Sequence, residues 1–128
     1  MNDIEMRDML IQYMGKGFLE NIIAMFRQDS SLYPFVADML GDEQIRVRLG
    51  ATALVEELAQ GHREELKAAV PGIIKLLSRE LPTIRGDAAN VLGIIRDRSA
   101  IGALKVCLTD SHPGVREAAQ EALEEMED

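Results

Sequence analysis

The sequence predicts an all-α fold: a right-handed solenoid of stacked helix–turn–helix units, with about eight helices in one domain of residues 1–128. Three observations predict it. One pattern recurs three times along the chain, which is typical of repeat architectures. Within each copy, the apolar residues fall at helical spacing. The composition is rich in aliphatic and charged residues and lacks tryptophan, and the length suits one domain with a sizeable core.

The repeated pattern predicts the second helix of each unit, called helix B below. Three stretches align: "VRLGATALVEEL" from Val47, "IRGDAANVLGII" from Ile84 and "VREAAQEALEEM" from Val115. Each begins with a β-branched residue and an arginine, has alanine four places after its first residue, and continues with apolar residues eight and eleven places on. This spacing forms one apolar stripe on an amphipathic helix.

The same alignment extends toward the N-terminus of each stretch and predicts a first helix, helix A, in each unit. Apolar residues lie seven and eleven places before the three starts: Leu40, Leu77 and Leu108, and Val36, Ile73 and Leu104. Short polar turns separate helices A and B. The units follow at spacings of 37 and 31 residues, with the six extra residues near "AQGHRE". We therefore predict repeats at residues 30–61, 62–97 and 98–128.

The two ends of the chain are expected to differ from the repeats, as the ends of a solenoid should. Residues 1–29 lack the β-branched–arginine signature and predict two helices broken at Gly15–Gly17, a degenerate N-terminal cap. The last helix carries polar residues that we expect to form a lid over the final apolar face: Glu117, Gln120, Glu121, Glu124 and Glu125.

The stretches "IRGDAANVLGIIRDRSAIGAL" and "DRSAIGALKVCLTDSHPGVREAAQEAL" resemble the HEAT-repeat family. They are most similar to its short-repeat branch, first noted in phycobilisome bilin lyases. The resemblance covers roughly residues 30–128. It implies a solenoid whose B helices line the concave face, and it says little about function, because unrelated scaffolds share the repeat.

The candidate functional residues follow from this register. The side of the B helices opposite the buried stripe predicts a partner-binding groove, and the arginines of the repeats lie near its edges. The candidate partner-binding residues are Leu49, Thr52, Glu56, Arg85, Ala89, Asn90 and Arg96. A ladder of arginines and turn carboxylates is expected to join neighbouring repeats, formed by Asp42, Arg48, Asp110 and Arg116. Ligand binding is the alternative role for these arginines.

The sequence contains few residue patterns that are typical of catalytic or metal-binding sites. His62 and His112 lie in predicted turns far apart in sequence. Cys107 aligns with Met39 and Leu76 of the other A helices, so it is expected to be a small buried apolar residue. The carboxylates are scattered over exposed faces, and any acid–base pair would be arbitrary. The sequence therefore predicts a protein that is not an enzyme and needs no cofactor.

The net charge of −8 is unevenly distributed. Residues 66–116 hold eight basic and four acidic residues, a net of +4, between acidic segments of −6 each at residues 1–65 and 117–128. We expect an adaptor or scaffold that binds a protein partner on the concave face. The alternatives are an accessory subunit or lyase-like protein of the bilin lyase type, and weak nucleic-acid binding through the basic middle repeat.

The aromatic residues lie together near the N-terminus. Tyr13, Phe18, Phe26, Tyr33 and Phe35 are accompanied by several methionines. These bulky residues either fill the end of the solenoid or form a patch for a homodimer or a partner helix. The acidic N-terminus, the single cysteine and the lack of a long apolar run predict a cytoplasmic protein without a membrane span.

Overall fold

The computed structural model describes residues 1–127, which contain helices and no strand. The α-helices are α1 (Asp3–Gly15), α2 (Leu19–Gln28), α3 (Val36–Leu40), α4 (Ile45–Leu58), α5 (Arg63–Leu66), α6 (Val70–Leu76), α7 (Pro82–Ile95), α8 (Ile101–Cys107) and α9 (Pro113–Met126). Short 3-10 helices at Ser30–Phe35, Lys67–Ala69 and Arg98–Ala100 lead into α3, α6 and α8. When helices that continue directly into one another are counted as one segment, the described part of the chain contains eight helical segments. The predicted all-α solenoid with about eight helices is confirmed.

Three helical hairpins stack along the chain. Each joins a first segment to a helix B: Ser30–Leu40 to α4, Arg63–Leu76 to α7, and Arg98–Cys107 to α9. We call them hairpins 1, 2 and 3. Helix α7 packs against both α4 and α9, while α3 packs against α6, so neighbouring hairpins touch through like helices. Helices α1 and α2 pack against α4 and form the N-terminal end.

A single apolar core runs through all three hairpins. The residues that begin the three aligned stretches, Val47, Ile84 and Val115, are fully or almost fully buried. The alanines four places later, Ala51, Ala88 and Ala119, are buried completely. Because each hairpin covers the apolar stripe of its neighbour, the core is continuous along the array.

Hairpins 2 and 3 approach each other at a glycine. A Cβ atom added to Gly93 of α7 would lie 2.8 Å from the Cα atom of Ala122 in α9, which is too close for any real contact. The absence of a side chain at position 93 therefore permits the close packing of α7 on α9. Gly86 lies on a different side of the same helix, and the space at its Cβ position is open.

Hairpin 2 begins differently from the other two. Asp29 and Asp97 precede the first segments of hairpins 1 and 3, and their carboxylates accept the N–H groups of Ser31 and Ser99. The equivalent position in hairpin 2 is Leu66, which is already helical. The extra residues near "AQGHRE" lead into α5 there, so the first segment of hairpin 2 is longer.

The N-terminal cap consists of two helices, as predicted, with Gly17 at φ 88° in the turn between them. The aromatic residues divide into two groups. Phe26 and Tyr33 are buried with ring centroids 5.4 Å apart, whereas Tyr13 and Phe18 form an edge-to-face pair that stays partly exposed. Part of the aromatic set thus fills the core, and part remains on the surface.

Only part of the polar lid that we expected lies over the C-terminal end, where Gln120 is exposed near Leu123 on α9. Glu117, Glu121 and Glu125 face the side of α9 that adjoins α7. The end face instead exposes apolar side chains, including Leu108 and Leu123. A helix at the end of a solenoid has one side that lines the groove and another that forms the end face. The number of polar residues on the helix does not predict which of these two sides they occupy. None of the helices in residues 1–127 is long and apolar enough to cross a bilayer.

Candidate binding groove on the B helices

Two adjoining depressions follow the exposed sides of α4, α7 and α9, and together we call them the B groove. They meet at Asn90 of α7 and Glu121 of α9, which line both. The first, of about 400 Å³, lies between the N-terminal halves of α7 and α9. The second, of about 470 Å³, extends along all three helices toward their C-terminal ends.

Five of the seven predicted binding residues lie on the expected side of the B helices. Glu56, Asn90 and Arg96 line the second depression. Leu49 is 66% exposed on α4 but lines neither depression. Thr52 is half-buried, and its hydroxyl donates a hydrogen bond to the Arg48 carbonyl (3.1 Å). The predicted groove thus includes residues that line a depression and residues that flank it.

Two of the predicted binding residues do not face the groove. Ala89 is completely buried, because α9 packs closely on this side of α7. Arg85 is largely covered and extends to hairpin 3, where its guanidinium binds Asp110. Assigning either side chain to an open groove was wrong. The helical register identified the side away from the core but could not show how closely the next helix would approach.

Arg85 joins hairpins 2 and 3 through two of its four hydrogen bonds. Its Nε and Nη2 atoms donate to the two carboxylate oxygens of Asp110, each at 2.9 Å. Its Nη1 atom donates to the carbonyls of Arg79 and Glu80 in its own turn, each at 2.8 Å. Hydrogen bonding from Arg85 lowers the pKa of Asp110, and the same bond raises the pKa of Arg85. A two-point arginine–carboxylate contact fixes orientation as well as distance.

Arg48 makes the corresponding contact between hairpins 1 and 2, with a different acceptor. Its Nη1 atom donates to the carbonyls of Asp42 (2.9 Å) and Glu43 (2.8 Å), closing its own turn. Its Nε atom donates to Asp87 on α7 (3.1 Å). The turn position held by aspartate in hairpins 1 and 3 is Arg79 in hairpin 2, so the carboxylate comes from the helix instead.

The other two ladder residues, Asp42 and Arg116, have mainly local contacts. The Asp42 carboxylate accepts the N–H of Gln44 (3.0 Å), and only its backbone carbonyl contacts Arg48. Arg116 donates to the carbonyl of Asp110 (2.7 Å). No carboxylate among residues 1–127 forms an ion pair with Arg116. Asp42 therefore contributes to the ladder through its backbone, and Arg116 closes only its own turn.

The basic side chains of the B groove are already engaged. Arg63 donates hydrogen bonds to the carbonyls of Ile94 and Ile95, at the C-terminal end of α7. Arg96 occupies the left-handed conformation (φ 61°) at that helix end and forms an ion pair with Glu125 (2.8 Å). Cations favour helix C-terminal ends because of the helix dipole. These contacts hold both guanidinium groups at the end of α7, and Glu125 balances the charge of Arg96.

Three acidic side chains of the groove have no such partners. Glu56, Glu117 and Glu121 are exposed, and none of them forms an ion pair with another described residue. Because these carboxylates outnumber the cations of the groove, the B groove presents negative charge around a small and neutral centre at Gly86 and Asn90.

The histidines and the cysteine have structural contacts. His62 contacts Glu65 (3.0 Å), while Nδ1 of His112 accepts the N–H of Gly114 (3.1 Å). Cys107 is buried, as predicted, and burial raises the pKa of its thiol. Within residues 1–127, no group of three or more histidine, cysteine, aspartate or glutamate residues could hold a metal ion.

A larger cleft, which the sequence did not predict, lies where α1 meets α3 and α6. Its volume is about 1110 Å³, and its lining mixes acidic and basic side chains, among them Asp8, Asp38, Lys75 and Arg79. Burial raises the pKa of Asp38. Since α1 carries no repeat signature, its docking against the A helices could not be deduced from the register.

A family model described as HEAT repeats matches residues 33–124. This match spans most of the chain, and the chain belongs to the HEAT-repeat family. Comparison with curated proteins finds no match. HEAT repeats commonly serve as scaffolds for protein interactions.

Proposed function

We propose that this chain is a non-catalytic adaptor that binds a segment of a partner protein in the B groove. The observation that supports the proposal most directly is the groove itself. Three helices from three stacked hairpins line it, and Asn90 and Glu121 are exposed at its centre. A rigid helical surface of this kind suits the docking of a helix or an extended segment.

The charges of the groove support a basic partner segment. Glu56, Glu117 and Glu121 have no intramolecular cation, whereas Arg63 and Arg96 are engaged at the end of α7. Opposite charges across an interface accelerate association and discriminate against wrong partners. Lysine or arginine side chains on the partner would therefore complement the exposed carboxylates, and binding would weaken as salt is added.

An apolar ridge beside the groove supports an amphipathic partner. Ile45 and Leu49 lie one turn apart on α4, and both are mostly exposed. Large exposed side chains that lie together mark interaction surfaces more often than isolated ones do. We propose that an apolar anchor of the partner contacts this ridge while its basic residues face the groove.

The same contacts bear on the two alternative functions. Nucleic-acid binding needs basic side chains free to contact phosphate. Arg85, which belongs to the basic region, is instead bound to Asp110 between hairpins 2 and 3. A bilin lyase-like role would need a pocket for a flat pigment, and the described residues that line the B groove include no phenylalanine, tyrosine or tryptophan. This role stays the alternative, and absorbance changes on adding a bilin would test it.

Substitution of Asn90 by tryptophan tests the proposal. The partner is captured from a lysate of the source organism with the tagged wild type, and its recovery is compared with that by Asn90→Trp. We expect Asn90→Trp to fold normally and to lose at least about tenfold in affinity, because the indole fills the centre of the groove. Quantitative mass spectrometry and thermal unfolding provide the measurements.

The matched control is Asn21→Trp, which makes the same change at an exposed position on α2, outside the groove. It should retain the partner. If Asn90→Trp retained full binding, the assignment of the groove would be wrong. Equal loss in both variants would contradict it as well, since the effect would then not depend on position.

A further inference from the structure

The C-terminal end of the solenoid exposes an apolar face. Ile101, Leu108, Leu123 and Met126 border a depression of about 810 Å³ between α8 and α9, and the charged side chains of Arg98, Lys105 and Glu127 complete its lining. Leu108 is 40% exposed, and Ile101 and Leu123 are half-buried. None of these four residues lines the B groove.

This end face corresponds to the surface that carries the next hairpin elsewhere in the chain. The register pairs Ile101 with Tyr33 and Val70, Leu108 with Leu40 and Leu77, and Leu123 with Val55 and Leu92. All six of those equivalents are buried. Hairpin 3 thus exposes the residues that hairpins 1 and 2 cover by stacking.

Arg116 completes the correspondence. Its equivalents Arg48 and Arg85 each close their own turn and also reach a carboxylate in the next hairpin. Arg116 closes its turn through the Asp110 carbonyl and has no carboxylate partner among residues 1–127. The end face therefore combines an apolar centre with a guanidinium group that can still accept a carboxylate partner.

The row of residues along this side of α9 is complementary to itself. Arg116, Gln120 and Leu123 follow one another at intervals of four and three residues along one side of α9, and Glu127 follows four residues later as the residue that caps this helix. Glu127 lies eleven positions after Arg116, or about three helical turns. An antiparallel copy centred between Gln120 and Leu123 would place each arginine opposite the glutamate of the other chain.

We propose that the C-terminal end face binds a second copy of this chain, tail to tail about a two-fold axis. The apolar side chains of the two end faces cover each other, and two Arg116–Glu127 ion pairs close the rim. A two-fold contact of this kind is closed, whereas head-to-tail stacking of ends would produce an open filament. The contact is separate from the B groove, so each proposal can fail without the other.

Sedimentation velocity of the purified chain, from about 1 to 500 μM, tests the dimer, because homodimer contacts of this kind respond to concentration. We expect a concentration-dependent monomer–dimer equilibrium. Leu123→Arg should weaken the dimer at least about thirtyfold, because it places a charge in each half of the apolar centre. The matched control is Val106→Arg, in the same hairpin at a position that is 72% exposed and outside the depression. It should leave the equilibrium unchanged, and thermal unfolding confirms that both variants fold.

Charge exchange tests the two-fold arrangement. Arg116→Glu and Glu127→Arg should each weaken self-association by about tenfold, because each places like charges opposite each other twice. An equimolar mixture of the two variants should form heterodimers of near wild-type affinity, since opposite charges then face each other at both positions.

Three results would overturn the proposal. The first is a chain that stays monomeric over the whole concentration range. The second is a dimer that is unaffected by Leu123→Arg, which would move the contact elsewhere, such as to the exposed aromatic pair near the N-terminus. The third is a mixture of charge variants that associates no better than either variant alone, which would exclude the two-fold pairing of Arg116 with Glu127.

Discussion

Two glycines on α7 have different physical roles. Gly93 faces α9, where an added Cβ would meet the backbone of Ala122 at 2.8 Å. Gly86 faces open space beside the groove and has nothing within 4 Å of its Cβ position. Glycine costs about 1 kcal/mol against alanine inside a helix. At position 93 the close helix contact offsets that cost, and at position 86 no contact within the chain does.

We predict opposite effects of alanine at these two positions. Gly93→Ala should destabilise the fold by about 1–3 kcal/mol, because α7 and α9 must move apart. Gly86→Ala should stabilise it by about 0.5–1 kcal/mol through helix propensity alone. Urea unfolding of both variants measures the difference. A destabilising effect of the same size at both positions would contradict the packing of α7 on α9.

The arginines show how far sequence reasoning reaches for single residues. The recurring β-branched–arginine pair placed Arg48, Arg85 and Arg116 near the turns between hairpins. The choice of acceptor depended on one residue, Arg79, which occupies the turn position of an aspartate and leaves Arg48 to bind Asp87. Such a contact requires coordinates, because the register alone does not show that Asp87 on α7 lies within reach of Arg48.

At the scale of helices, the register predicted the A and B helices well. The stripe of apolar residues identified α4, α7 and α9, since a helix with one buried side has only one such pattern. The exposed side was predicted less well. Ala89 was assigned to the groove, yet it is buried, because the separation of neighbouring helices depends on their contact residues and not on the periodicity of either helix.

The contact between hairpins 2 and 3 should depend on pH. The folded-state pKa of Asp110 is lowered, chiefly by its hydrogen bond with Arg85. A lowered pKa stabilises the fold above the ordinary value of about 3.9, and this contribution is lost as the pH falls through the folded-state value. We predict that Asp110→Asn is less stable than the wild type at pH 7, and that the difference shrinks below about pH 4.

Chemical denaturation of both proteins between pH 7 and pH 3 measures this difference. Arg85→Gln supplies the matched control: without the guanidinium, the same pH-dependent part of the stability should disappear. A difference between wild type and Asp110→Asn that stayed constant over the whole range would show that the ion pair does not respond to pH.

For the whole molecule, the sequence predicted an uneven distribution of charge, and the structure adds which charged side chains are paired. Part of the basic middle of the sequence is used within the array, through Arg85 with Asp110 and Arg96 with Glu125. Net charge per segment cannot reveal this, since it does not distinguish paired from unpaired side chains. The cleft beside α1 was equally beyond the sequence, because that helix lacks the repeat signature.

The buried thiol of Cys107 can report on how the array opens. It is 5% exposed, and burial raises its pKa, so a thiol reagent must wait for an opening event. Hairpin 3 has a neighbour on only one side within the chain. We predict that it opens before the rest, and that the labelling rate rises with urea less steeply than the global unfolding constant.

Labelling with a disulfide reagent at pH 8, at a protein concentration well below that of self-association, provides the measurement. Equal urea dependence of labelling and of global unfolding would show that the three hairpins open together. In that case the array would behave as one cooperative unit.

The arginine contacts between hairpins also bear on how such a chain can lengthen during evolution. Each hairpin carries an arginine at the position that, in hairpins 1 and 2, contacts the next hairpin. Hairpins 2 and 3 also carry the carboxylate that binds the arginine of the preceding hairpin, which is Asp87 on a helix or Asp110 in a turn. A gene segment encoding one of these hairpins, duplicated in place, would therefore bring both halves of the contact with it. A new copy of hairpin 2 would leave neither an arginine nor a carboxylate without a counterpart. A new copy of hairpin 3 would supply a carboxylate for Arg116 and leave only the last arginine of the array as it is now. Growth by duplication therefore requires no simultaneous compensating mutation at this position.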